Sequence, residues 1–256
     1  MIETAVALVL AHLLADFVLQ SDAMVAGKRR PGPFVGHIAV TALASWAALG
    51  FSPVPGLILT VALAHALTDA AKLAWVGRCR HLGRNPGFAA FATDQAAHLA
   101  AIAVIAAFWP GAWAAGLWTA PALVERLPFI ARLPEAMALA AGLVAAVWAG
   151  SHAVRELMRQ LKDMPDDPEA DDSLPNGGQL IGRLERLMIL MLLVAGQPEG
   201  IGLLIAAKSI LRFNELAADS SDRRASEYVI IGTLASFAWA IGVGLAVQSA
   251  LAALAP

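Results

Sequence analysis

The chain has 256 residues, of which 59% are hydrophobic and only 15% charged, with a mean hydropathy of +0.66 and a net charge of −2. A soluble domain carries about 25% charged residues, so this balance points to a membrane protein. The near-neutral charge without a basic stripe argues against a nucleic-acid partner, and a single cysteine, Cys79, rules out an intrachain disulfide or a Cys-based zinc site.

A helix needs about 20 mostly apolar residues to cross a bilayer. Six segments are predicted to do so: 2–19, 34–50, 55–76, 88–109, 135–150 and 228–254. The first reads as a span rather than a signal peptide, because it lacks a basic leader and carries His12 and Asp16. Residues 111–124 are apolar but short, and Trp109, Trp113 and Trp118 read as interfacial anchors. Residues 163–178 are rich in Asp, Pro and Gly and read as a solvated acidic linker. Two helices are then expected over 180–196 and 199–216, with Pro198 starting the second. The uncharged stretch 187–195 would rise only about 14 Å, which favours a re-entrant or interfacial hairpin.

The expected fold is therefore all-α: a polytopic helical membrane protein with about six spans and a helical hairpin. Residues 1–110 form a four-helix core with a parallel internal repeat. An interfacial segment and fifth span follow at 111–162, then the linker at 163–178, then the hairpin and last span at 179–256. Lys28, Arg29 and Arg30, and Arg78, Arg80 and Arg84, fall in loops on one side of this arrangement. The positive-inside rule makes that side cytoplasmic and places the N-terminus outside.

Two stretches read almost alike: L-A-H-L-L-A-D at 10–16 and L-A-H-A-L-T-D at 63–69. Each sets a His and an Asp four residues apart, on one helix face. Asp94 and His98 repeat the spacing in reverse, and His37 adds another imidazole. On the six-span topology all of them fall roughly 5–16 Å below the cytoplasmic surface, counting about 1.5 Å per residue. Residues 39–48, 57–64 and 99–107, in the outer halves, hold nothing ionisable. Four charges there, from Asp16, Asp69, Asp94 and Lys72, would cost on the order of 10 kcal/mol if exposed to lipid. They must face inward. As interhelical glue they would return only about 0.6 kcal/mol per contact.

Imidazole and carboxylate together suit Zn²⁺, Mn²⁺ or Fe²⁺. The candidate metal ligands are His12, Asp16, His37, His65, Asp69, Asp94 and His98. Asp94 is also the candidate general base, and Lys72 the candidate stabiliser of developing charge. His81 and His152 lie in or beside loops and are left out of the cluster. In the C-terminal part, Lys208 and Arg212 share a helix face with Glu215, Glu185 and Arg186 open the preceding helix, and Asp219-Ser-Ser-Asp reads as a helix cap.

The segments H-L-L-A-D-F-V-L-Q-S-D, L-A-H-A-L-T-D and D-Q-A-A-H resemble the bacterial membrane family catalogued as domain of unknown function 3307. The resemblance covers about residues 1–110, and G-R-L-E-R-L-M-I-L and A-A-K-S-I-L-R-F resemble the C-terminal part of longer members. It implies a multi-pass protein of the bacterial inner membrane and lends no catalytic residues, since the family carries no established activity. The leading expectation is an intramembrane, metal-dependent hydrolase near the cytoplasmic face, acting on a lipid-linked or membrane-associated substrate with membrane lipids as surroundings. A metal-ion or proton-coupled transporter and a non-catalytic membrane scaffold are the alternatives.

Overall fold

The computed structural model describes residues 1–161, 177–218 and 223–255, with only the backbone described over 211–218 and 223–226. Most of the expected linker, the proposed cap at Asp219–Asp222 and the side chains of Arg212 and Glu215 lie outside the described residues. The described residues are helices and turns, with no strand. Eleven α-helices follow in order: α1 (Ile2–Phe17), α2 (Asp22–Gly27), α3 (Pro31–Ala48), α4 (Leu57–His81), α5 (Gly87–Phe108), α6 (Pro121–Arg126), α7 (Leu133–Val144), α8 (Gly150–Gln160), α9 (Gly177–Val194), α10 (Glu199–Ala218) and α11 (Arg223–Leu254).

Four stretches among the described residues are long and apolar enough to cross a membrane: Leu57–His81, Gly87–Phe108, Pro128–Gln160 and Glu227–Leu254. The protein is thus a polytopic helical membrane protein with four candidate spans where six were expected. The segment expected at 2–19 forms a helix of 16 residues, which rises about 24 Å against a hydrocarbon core of about 30 Å. The segment expected at 34–50 is helical over 34–48, but the helix it belongs to, α3, begins at Pro31, and Pro31, Gly32, Pro33, Gly36 and His37 dilute that helix's apolar character.

The chain divides into two compact units, one built from Met1–Val144 with the end of α11, the other from Ala145–Gln248. In the first, α1 packs against α3, α5 and α7, and α4 packs against α3 and α5. Ala7, Ala11 and Ala15 are all but fully buried, so small side chains let neighbouring helices close around α1. The core gathers Leu8, Leu49, Leu57, Val61, Ile102 and Trp113.

Local chemistry sets the helix ends. Ser21 caps α2 by accepting from the Met24 amide, 3.3 Å away. Pro31 sits in the first turn of α3, where its missing N–H costs nothing. At the far end of α3, Gly50 turns left-handed at φ +64 and its carbonyl accepts from Leu117 N at 2.7 Å. A Cβ at Gly50 would stand 2.8 Å from that nitrogen, so the close approach requires glycine. This clamp draws the segment after α5 onto the helical core. Trp113 is therefore a core residue, 7% exposed, and Trp118 donates to the Ala47 carbonyl at 3.0 Å. The expectation that Trp113 is an interfacial anchor is corrected, since its ring lies in the core, while Trp118 is half-buried and spends its indole N–H on Ala47.

The second unit has its own core of Ile189, Leu193, Ile201, Phe237 and Ala240. Its helices α9 and α10 are joined at Gly196, which is left-handed at φ +69, while Gln197 N closes onto the Leu192 carbonyl at 2.9 Å. Here a single turn of π-helix, Ala145–Ala149, leads into α8. Such a turn leaves carbonyls without their usual helical partners. Trp239 Nε1 donates to Ala145 O at 2.9 Å, and Arg186 Nε donates to Ala146 O at 2.7 Å. Arg186 reaches further, to Ser236 Oγ at 2.8 Å and Ser151 Oγ at 2.6 Å. Burial, together with neighbouring Arg183, pushes its guanidinium down to about 10, which leaves it charged at neutral pH. Lys208 does not rely on its own helix face for a partner; its Nζ lies 2.6 Å from Glu185 Oε2.

Candidate metal centre

Four helices of the first unit bring their polar residues together. The i,i+4 spacing on α1, α4 and α5 does what helical geometry requires, aligning His12 with Asp16, His65 with Asp69, and Asp94 with His98. From α3 comes His37, which is completely buried. The His65 and His37 Nε2 atoms are 2.9 Å apart, so one ring donates to the other. Asp16 Oδ1 lies 3.3 Å from His37 Nε2, 3.4 Å from His65 Nε2 and 3.9 Å from His12 Nδ1. The His65 and His98 ring centres are 4.4 Å apart, and those of His12 and His98 4.6 Å.

The hydrogen bonds decide where the lone pairs point. Gln95 donates its amide to Asp94 Oδ2 at 3.1 Å, so its Oε1 is the acceptor facing His12 Nε2 at 3.2 Å. His12 then carries its proton on Nε2 and leaves Nδ1 as a bare acceptor. In the same way His98 Nδ1 donates to the Asp94 backbone carbonyl at 2.9 Å, which leaves Nε2 bare. Both bare nitrogens are buried without a hydrogen-bond partner, as are Asp16 Oδ1 and Asp94 Oδ1. A carbonyl or carboxamide fixing one nitrogen while the other is free is how proteins prepare a histidine ligand.

Three donor sets have ligand atoms within 4.8 Å of one another: His12, His65 and His98; Asp16, His37 and His65; Asp16, Asp94 and His98. This His/Asp cluster has the donor chemistry and spacing of a divalent-metal site. Burial pushes the His12 imidazole down, against the pull of Asp16, and so favours the neutral ligand form. Burial opposes the Asp16 charge, but His37, 3.3 Å away, and the other nearby imidazoles outweigh it and hold the carboxyl below its usual range. A cavity of about 20 Å³ adjoins His12, His65 and His98 against Leu8, Val61 and Ile102. That is enough for one water-sized occupant.

Not every expected ligand joins these sets. Asp69, 1% exposed, is in none of the three sets, although its Oδ2 lies 3.5 Å from His37 Nε2 and 3.8 Å from His65 Nε2; Lys28 Nζ is 2.9 Å from the same oxygen. The ammonium neutralises this carboxylate without hydrogen-bond alignment, since Oδ2 has no aligned donor. Asp94 and Lys72, the expected catalytic residues, form a direct ion pair of 2.7 Å, which occupies Asp94 Oδ2 and leaves Oδ1 for the cluster. Formally, three carboxylates face two ammonium groups and four imidazoles, and the residual negative charge suits a cation.

The expectation of an intramembrane site is overturned by the helices that carry it. The cluster begins at His12, ahead of the first candidate span at Leu57. His12, Asp16 and His37 lie on α1 and α3, which are not among the candidate spans; only His65, Asp69, Asp94 and His98 come from α4 and α5, which are. The cluster belongs to the N-terminal helical unit rather than to a layer of four spanning helices. The hydrolase and transporter readings built on that layer, at a cytoplasmic depth shared by four spans, fall with it.

Gln95 and Lys28 are the participants that spacing did not single out. Gln95 is not ionisable, and its partner His12 is 83 positions away. Lys28 reads in sequence as a loop cation; only the fold carries it to Asp69.

The fold and the site define a polytopic helical membrane protein with a metal-type His/Asp centre in its N-terminal unit. Residues 5–122 match the model of a family described as a protein of unknown function, DUF3307, and this stretch contains every residue of the cluster. Neither the curated proteins nor the solved structures contain a match to the chain.

Proposed function

We propose that the N-terminal unit binds one divalent cation, Zn²⁺, Mn²⁺ or Fe²⁺, through His12, His65 and His98 with Asp16 as the carboxylate ligand. The observation that carries this reading is the buried, partnerless state of His98 Nε2, His12 Nδ1 and Asp16 Oδ1 in two donor sets that share His98. Buried polar atoms without partners cost about 1–3 kcal/mol each, so a protein retains several together only where something satisfies them. His37 and Asp94 complete the shell, with Gln95 orienting His12 and Lys72 orienting Asp94. The likeness over residues 5–122 makes this centre the property we assign to the matched family region, and we extend the family to the rest of the chain on the C-terminal segments that resemble longer members. Lys28, Arg29 and Arg30 share one groove with Arg78 and His81, and by the positive-inside rule that cationic face would lie toward the cytoplasm of a bacterial inner membrane.

The test is metal content. The full chain, purified in detergent without chelator and incubated with Zn²⁺ or Mn²⁺, should carry about one ion per chain by mass spectrometry. The His12→Ala, His65→Ala double variant should carry none while eluting as the wild type does. A metal-free wild type after incubation, or equal loading of the double variant, contradicts the proposal.

A further inference from the structure

A second site lies in the same unit and does not depend on the metal. The link 28–30 between α2 and α3 and the start of α3 form one wall of a groove of about 850 Å³, and the C-terminal half of α4 forms the other. Its rim carries Lys28, Arg29 and Arg30 from one wall and Arg78 and His81 from the other. No acidic residue among the described residues lines it. Among the described residues, Arg29, Arg30 and Arg78 have no carboxylate partner, and only Lys28 is engaged, on Asp69. The floor is apolar, formed by Phe34, Leu73, Ala74 and Leu82 among others. Gly77 leaves it open: a Cβ there would meet nothing within 4 Å.

Cations from two chain segments converging on one concavity repel one another unless an anion lies between them. Arginines are the residues best fitted to a phosphate, through paired N–H donors in a fixed fork. An apolar floor beneath a cationic rim adds a place for hydrocarbon attached to that phosphate. We propose that this groove binds a phosphate group, with Arg29, Arg30 and Arg78 as its ligands and the floor accepting any apolar portion of the same molecule. The shared chemistry is a phosphate anion, whether free or on a lipid headgroup.

The experiment is calorimetric titration of the full chain in neutral detergent with inorganic phosphate, pyrophosphate, dioctanoyl phosphatidic acid and dioctanoyl phosphatidylcholine. Saturable binding of a phosphate probe is expected, weakened by salt and about tenfold weaker in each of Arg30→Gln and Arg78→Gln. Arg126→Gln, on α6 and outside the groove, should bind as the wild type does. Phosphatidic acid binding much tighter than pyrophosphate, with the advantage lost in Gly77→Leu, identifies a lipid headgroup; equal affinities identify a free phosphate. No binding of any phosphate probe overturns the proposal. So does binding that Arg30→Gln and Arg78→Gln leave unchanged, or phosphatidylcholine binding as well as phosphatidic acid. Arg78→Lys, which keeps the charge but not the fork, should bind between the wild type and Arg78→Gln, and so separates a lost phosphate ligand from a folding defect. Because none of these variants touches a proposed metal ligand, metal loading should stay at the wild-type level throughout.

Discussion

Both units bury a polar network, and the two are finished in opposite ways. In the second unit Arg186 is 3% exposed, yet its donors reach two carbonyls of the π-helical turn and two serine hydroxyls. Nothing is left over for a ligand. In the first unit the side chains of His12, Asp16, Asp94 and His98 are also enclosed, but each presents a nitrogen or oxygen without a partner. Burial of polar groups therefore does not mark a site by itself. A satisfied network holds helices in place, whereas unspent lone pairs converging on one point call for an ion.

The comparison can be broken at either end. Removing Arg186 should have the largest effect on folding. Arg186→Leu strips the π-turn carbonyls of their donors at about 1–3 kcal/mol per buried group, so the melting temperature should fall sharply while metal content per folded chain is unchanged. A variant as stable as the wild type would mean that the guanidinium network holds nothing. Next in size, His98→Ala should lower metal affinity by more than about a hundredfold, or roughly 2.7 kcal/mol. The metal-free form should melt close to the wild type, because the variant removes an unsatisfied nitrogen. If the apo protein collapses instead, the histidines are structural.

Smaller effects sharpen the picture. Gln95→Leu leaves every proposed ligand in place but frees the His12 ring, and orienting partners of this kind are worth about 10–100-fold in metal affinity. An unchanged affinity would remove Gln95 from the account. Lys28→Met should have the least effect, a few-fold gain in cation affinity, because it uncovers the Asp69 charge 3.5 Å from His37. Competition with a chelator of known affinity measures both.

Much of the site was legible in the chain. Pairs at i,i+4 must share a helix face, so His12 with Asp16, His65 with Asp69 and Asp94 with His98 announced three faces before any fold was known. Their meeting was an inference from topology that held, although the six-span frame used to reach it did not. That frame failed because hydropathy was judged by segment. α1 is too short, and the prolines and glycines of α3 dilute it. That Asp69 also meets an ammonium could not be read from the chain, because Lys28 is remote in sequence. Arg186 escaped notice for a different reason. Its partners are backbone carbonyls released by a π-turn, which no pattern of side chains foretells. Trp113 was given to the membrane surface because a tryptophan in a short apolar stretch reads that way until a Gly50 clamp folds it inward.

The central claim is that the first network is unfinished without a cation. Zinc-edge X-ray absorption on the loaded full chain measures this most directly. The account predicts a shell of nitrogen and oxygen ligands at about 2.0–2.1 Å with imidazole outer-shell scattering, which disappears in His98→Ala but persists in Arg186→Lys. A shell of oxygens alone with no imidazole signature, or the same spectrum in wild type and His98→Ala, would contradict it.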